Sequence, residues 1–248
     1  DPESQTITIT GTTIPSWTTL VDLGTGTAVL SGTPENGDVG THSVVLTATD
    51  ASSVSTTQTF TLTVANSNDA PTLASSIADV TNAEDVAYSL SVSGLCTDVD
   101  AGDSLAYTIA GAPSTITISG TTISGTPVNA DVGTHTITVT CTDDAGATAS
   151  DSYVLTVTNV NDAPDFTSTA VTTATEDAAY TYTVTATDVD TGDSATLSGT
   201  TVPSWLTFTA ATGVLAGTPT NAEVGSHSVV ITATDTNSAS TTQSFTLV

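Results

Sequence analysis

Apolar and polar residues alternate along much of the chain. His227, Val229, Ile231 and Ala233 fall on one side of a period-2 run, and Ser228, Val230, Thr232 and Thr234 on the other. The same phase recurs in His135, Ile137, Val139 and Cys141, set against Thr136, Thr138, Thr140 and Thr142, and again in His42, Val44, Leu46 and Ala48. A further run is Tyr180, Tyr182, Val184 and Ala186. A period of two belongs to strands with one buried face. The Thr and Val enrichment suits pleated surfaces better than helices. Gly, Pro, Asn and Asp punctuate the runs, as in Asn221–Gly225. No segment sustains a period of 3.6, so no α-helix beyond about two turns is expected.

The pattern itself repeats. Gly-Thr-Pro begins at Gly32, Gly125 and Gly217, and a Val-Gly-[Thr/Ser]-His segment ends at His42, His135 and His227, each at intervals of 93 and 92 residues. Asn-Asp-Ala-Pro starts at Asn68 and Asn161, Glu-Asp at Glu84 and Glu176, and Asp-Val-Asp-x-Gly-Asp at Asp98 and Asp188. The unit is therefore about 92 residues. Short strands between turns at this spacing predict an all-β fold, a β-sandwich of about seven strands per unit, with the units end to end. The expected domains are 1–66, 67–160 and 161–248, the first incomplete. Asp1–Ser4 sits where residues 100–104 sit in the second unit, so the counterpart of Glu84–Cys96 is missing. Both ends read as cut from a longer repetitive chain. Upstream residues of the same polypeptide, rather than a neighbouring chain, are expected to complete the first unit.

Composition narrows the function. The chain of 248 residues carries 26 acidic residues and no Lys or Arg, a formal charge of -26. Phosphate-backbone binding needs cations, so nucleic acid is excluded as a partner. Lysine chemistry of every kind, including Schiff bases and isopeptide cross-links, is excluded with it. No apolar run reaches the 18 or more residues of a membrane span. No signal peptide or initiator Met opens the sequence, and no N-x-[ST] sequon occurs, although Ser and Thr are abundant enough for O-glycosylation.

Cys96 stands in place of Ala186, and Cys141 in place of Ala233. Both keep the inward phase, so one disulfide across the sandwich is the economical reading; two buried free thiols are the alternative. The bridge would close a loop of about 45 residues, worth roughly 3–4 kcal/mol in the chain-entropy description. A structural disulfide implies an oxidising, extracytoplasmic compartment.

The acids recur at fixed positions. Asp98, Asp100 and Asp103 follow one inward strand, as do Asp188, Asp190 and Asp193; Asp50, Asp143 and Asp235 end another. Asp-x-Asp puts two carboxylates within reach of one hard cation, and calcium suits this best. Turns also favour Asp on local grounds, which applies most to Asp103 and Asp193, each preceded by Gly. Asp22, Asp79, Asp144, Asp151 and Asp165 have no recurrent partner and read as surface residues.

With the linker Asn159–Pro164, the Thr-Asp-Val-Asp-x-Gly-Asp loop, the Thr-[Ala/Cys]-Thr-Asp strand end and the early Glu-Asp, the chain resembles cadherin-like tandem repeats, in particular the bacterial and dystroglycan-type versions of large surface adhesins. The resemblance implies calcium held between consecutive repeats. It places Glu84, Asp131, Asn161, Asp162, Asp188, Asp190 and Asp235 at the second junction. It places Asp38, Asn68, Asp69, Asp98, Asp100 and Asp143 at the first. The linker departs from the family in having Asn66 and Asn159 where Asp is usual, and Ala70 and Ala163 where Asn is usual. The first repeat lacks its early Glu. These departures imply fewer ions or weaker binding.

The three histidines recur once per repeat and read as core-edge residues. Trp17 and Trp205 read as core plugs rather than sugar platforms, and Thr115 takes their place in the second repeat. No G-x-S-x-G nucleophile elbow occurs. The paired carboxylates recur in the second and third units, whereas a catalytic site normally breaks repeat symmetry. The expected function is therefore non-enzymatic: a calcium-stiffened segment of a long extracellular or cell-surface protein, an adhesin stalk or surface filament. Its expected partners are calcium ions and further repeats of the same polypeptide, with self-association into filaments left open. The rival readings are a carbohydrate- or protein-binding module and an accessory region of a secreted enzyme.

Overall fold

A computed structural model describes residues 6–248. Among these residues helix is confined to three-residue 3-10 turns, Asn36–Asp38, Asn129–Asp131 and Asn221–Glu223, and the other regular elements are strands. None of the described helices is long and apolar enough to cross a membrane.

The third repeat illustrates the layers. One sheet has the order Thr196–Thr201, His227–Thr234, Ser240–Leu247, and the other Tyr180–Thr183, Val214–Gly217, Leu206–Thr209, all antiparallel. Between them lie Tyr180, Tyr182, Val184, Leu206, Leu215, Val229, Ile231 and Leu247. The alternation read from the sequence is thus the inward row. His227 is only half-buried, at the rim. Removing such side chains from water is what holds the sheets together, at about 1.5–3 kcal/mol for each large one fully buried.

The long run through Tyr180 does not continue as a single strand. Tyr180–Thr183 pairs with Val214–Gly217, and Ala186–Thr187 pairs instead with Asp165–Phe166. In the second repeat Tyr88–Ser91 pairs with Thr122–Gly125, whereas Cys96–Thr97 pairs with Thr72–Leu73. Gly94 lies in that break with a φ of 75°, a conformation that favours glycine. The seven expected strand paths therefore appear as more, shorter pieces.

The Gly-Thr-Pro glycines have a common cause. A Cβ on Gly32, Gly125 or Gly217 would meet the carbonyl oxygen of Trp17, Thr115 or Trp205 at 2.2, 1.9 and 2.2 Å respectively. Only glycine lets the neighbouring strand approach that closely.

Two compact units emerge from the fold. The first comprises residues up to Ile77, Val92–Ile109 and Thr138–Ser152; the second comprises Ala78–Ser91, Ala110–Ile137 and Tyr153–Val248. The division runs through the second repeat and not through the Pro-containing linkers. Each acidic junction consequently lies within a single unit. The first unit also holds the Cys96–Cys141 disulfide.

Candidate metal centres

Each Asp-x-Asp loop folds on itself. Asp98 Oδ1 accepts the N–H of Asp100 at 2.9 Å, and Asp188 Oδ1 that of Asp190 at 2.9 Å. This local turn uses one oxygen of the first aspartate. The other, Oδ2 of Asp98 and of Asp188, is buried with no hydrogen-bond partner.

In the second unit, Glu84 is fully buried. Its Oε1 accepts the N–H of Val160 at 2.8 Å, while its Oε2 has no partner. Asp190 Oδ2 accepts the N–H of Asp162 at 2.9 Å, and its Oδ1 the Asn129 amide at 2.7 Å. Glu84, Asp162 and Asp190 thereby bring one carboxylate oxygen each to within 4.8 Å of one another. Asp188, Asp193 and Asp235 form a second such group. Asn161 sits beside it, giving its amide to Asp235 at 2.7 Å and accepting from Asn237 at 2.5 Å.

In the first unit the group is Asp98, Asp100 and Asp103. Asp69 donates its N–H to Asp100 at 2.7 Å, and Asn68 its amide to Asp143 at 3.0 Å. The Asn68 amide and the N–H groups of Ala145, Gly146 and Ala147 hold the Asp143 carboxyl below its ordinary range, against its partial desolvation. At this junction Asn36 gives its amide to Asp69 at 2.7 Å.

Asp38 and Asp131 are not brought to these groups. Asp38 accepts the N–H of Glu35 at 2.9 Å, and Asp131 that of Val128 at 3.0 Å. Asp131 also takes the Thr115 hydroxyl at 2.6 Å. Both carboxylates cap their own 3-10 turns, and their carbonyls bond Nε2 of His42 and His135 at 2.6 and 2.7 Å. The histidines thus act as turn braces.

Asp103 and Asp193, equally readable as turn residues, join the groups. Their environments differ. Burial and the charges of Asp144, Asp98, Asp100 and Asp143 push the Asp103 carboxyl up. The hydroxyl and N–H of Thr236, with Ser194 and Asn237, pull that of Asp193 down. The second repeat has Asp144 where the third has Thr236, so a hydroxyl donor is replaced by a fourth nearby carboxylate. Asp144 is exposed, as expected of a surface residue, and accepts the Ser104 hydroxyl at 2.7 Å.

The family described as Putative Ig domain matches residues 1–65, 70–158 and 163–248. This chain belongs to the Putative Ig domain family.

Its Ig-domain repeats are cadherin-like in fold. The PcdhgB3 EC1-4 structure superposes with a TM-score of 0.53 at 21% identity, over 98% of this chain and 66% of that one. The Serine-rich adhesin for platelets of Staphylococcus aureus is 27% identical over 163 residues. That match covers 65% of this chain and 7% of the adhesin. The endo-fucoidan hydrolase MfFcnA4 aligns with 100% of the chain and 39% of its own length at 26% identity, with a TM-score of 0.38.

Among the described residues, every buried side-chain oxygen lacking a hydrogen-bond partner belongs to one of the acidic groups: Glu84, Asp98, Asp100, Asp103 or Asp188. The Ig-domain chain contains no Lys or Arg to pair with them. An all-oxygen donor set with free lone pairs fits a hard divalent cation of the calcium type. The tryptophans fit no such role. Trp17 and Trp205 are half-buried, with ring edges on His42 and His227 at 6.1 and 6.0 Å between centroids.

Proposed function

We propose that this chain is a structural, non-catalytic segment of a long extracellular or surface protein, an adhesin stalk or surface filament whose repeat junctions are stiffened by calcium. The observation that carries the proposal is the set of unpartnered, buried carboxylate oxygens in a chain without Lys or Arg. A buried carboxylate left unpaired costs several kcal/mol unless it is protonated or meets a cation. Calcium, when bound, supplies positive charge and room for six to eight oxygens.

Glu84, Asp162 and Asp190 would hold one ion, Asp188, Asp193 and Asp235 a second, and Asp98, Asp100 and Asp103 a third. The linker residues Asp69 and Asp162 already hold the acidic loops through their N–H groups. Ordering these side chains fixes the linker against the repeat that follows it. The adhesin relative and the cadherin-like fold support a role in adhesion. What the stalk presents, and to which partner, belongs to the whole protein, of which the relatives suggest this is a small part.

Melting and small-angle scattering of the chain in calcium and in EDTA test the reading, with magnesium as the control ion. Calcium should raise the melting temperature and narrow the range of shapes. Identical melting and scattering in calcium and EDTA would return the acids to the status of turn residues.

A further inference from the structure

A 3-10 turn precedes the long central strand of each repeat, as Asn36–Asp38, Asn129–Asp131 and Asn221–Glu223. Each opens on an asparagine. In the first unit the Asn36 side-chain amide donates to Oδ2 of the linker residue Asp69 at 2.7 Å. In the second unit the Asn129 amide donates to Oδ1 of Asp190, also at 2.7 Å. Both asparagines thus brace an acidic junction.

The residue after the asparagine differs. It is Gly37 in the first turn, but Ala130 and Ala222 in the others, and Asn36–Gly37 is the one Asn-Gly pair in the chain. Both residues are exposed. The fold does not require this glycine. Its φ is not positive, and a Cβ placed on it would meet nothing within 4 Å. Its N–H is also unengaged. The bonds of the turn run from the N–H of Asp38 to Glu35 at 2.8 Å and from that of Val39 to Asn36 at 3.3 Å, and among the described residues none takes the N–H of Gly37. Such a position at the start of a turn has no partner within the turn itself. In the third turn the equivalent N–H, that of Ala222, is bonded to the Thr220 hydroxyl at 3.3 Å. Glu35 stands in the place of Thr220 in the first.

We propose that Asn36 is a self-modification site, where deamidation turns the brace on Asp69 into a repulsion. The Gly37 nitrogen attacks Cγ of Asn36. The N–Cγ bond forms, the Cγ–Nδ2 bond breaks, and the proton of the Gly37 N–H leaves with Nδ2 as ammonia. The product is a cyclic succinimide. Water then adds at one of its two carbonyls. Opening at Cγ gives aspartate in an unaltered backbone. Opening at the main-chain carbonyl gives isoaspartate, with the chain running through Cβ. Glycine favours the attack because no Cβ crowds the nitrogen and its backbone has the widest range of conformations. Either product carries a carboxylate where an amide donor had been. It faces Asp69, and the chain has no Lys or Arg to offset the pair. The first junction therefore ages ahead of the second, which Asn129 continues to brace.

The test incubates the whole chain in warm, mildly alkaline buffer containing EDTA, so that the outcome does not depend on calcium binding. Deamidation is followed by mass-spectrometric peptide mapping with isoaspartate detection. Asn36 should convert at least tenfold faster than Asn129 or Asn221 in the same molecules. Gly37→Ala, verified as folded by circular dichroism, should slow Asn36 at least tenfold and leave the other two unchanged. Equal rates at the three asparagines, or a rate at Asn36 indifferent to Gly37→Ala, would overturn the site. Asn36→Asp should melt below Asn36→Ala, which loses the donor without gaining a charge, and added salt should narrow the gap. An Asn36→Asp protein that melts with or above Asn36→Ala would overturn the repulsion.

Discussion

The backbone N–H of Asp162 is 2.9 Å from a carboxylate oxygen of Asp190. A linker residue therefore holds a loop of the repeat that follows it, and Glu84 of the preceding repeat reaches the same spot. Whatever satisfies these carboxylates also fixes the linker. Removing calcium should lower stability by RT ln(1 + [Ca]/Kd), about 2.7 kcal/mol when calcium had stood at 100 times Kd. Glu84→Gln should abolish most of that calcium-dependent gain in the second unit. Calorimetric melting of both proteins in calcium and in EDTA provides the check.

Asp144 is the charge that separates the two otherwise equivalent loops. Replacing it as Asp144→Thr recreates the arrangement around Asp193, where the Thr236 hydroxyl and N–H both donate. The Asp103 carboxyl should then titrate lower in the metal-free protein, as followed by NMR. Its folded-state value now lies above the ordinary one. Its contribution is thus present at low pH and lost as pH rises through that value. Asp144→Thr should accordingly make metal-free stability near neutral pH higher, and calcium affinity of the first unit lower.

Reduction offers a separate handle. The Cys96–Cys141 bond spans 45 residues. Opening it should cost about 3–4 kcal/mol by the chain-entropy argument. Alkylation of the native, unreduced protein should label neither cysteine.

Alkaline unfolding should be unusually simple to assign, because Lys and Arg are absent. Burial, together with the neighbouring Tyr182, pushes Tyr180 up to about 12. Burial and the bond to Tyr88 push Tyr153 up as well. The unfolded chain ionises its tyrosines near pH 10, whereas in the folded chain Tyr88, Tyr153 and Tyr180 are held above that value. Stability should be intact below pH 10 and fall as pH rises from 10 through about 12. Tyrosinate absorbance and loss of circular dichroism should rise together.

How far the sequence could be read depended on the range of the interaction. The inward row Val229, Ile231 and Ala233 was legible because strand burial has a period of two. The repeated acids of the Asp-x-Asp loops were legible because repetition marked them. The break after Tyr88–Ser91 was not, because side-chain alternation does not reveal a change of pairing partner. For Asp38 and Asp131 the residue type alone did not show that each closes a turn three residues back on itself. Asp103 and Asp193 stayed open between the two readings, since a Gly-Asp pair looks local until the fold brings Asp98 or Asp188 beside it.

The disulfide has a further consequence for the second repeat. Cys96 is two residues before Asp98, and Cys141 two residues before Asp143. The covalent bond therefore joins the bases of two acid-bearing loops, which the third repeat leaves to an alanine pair, Ala186 and Ala233. Loops tethered at their roots have less freedom to surrender when they gather around an ion. Repeats of one protein, nearly alike in their acids, can in this way be graded in how readily they stiffen, with the thiol redox state of the surroundings setting one of the grades.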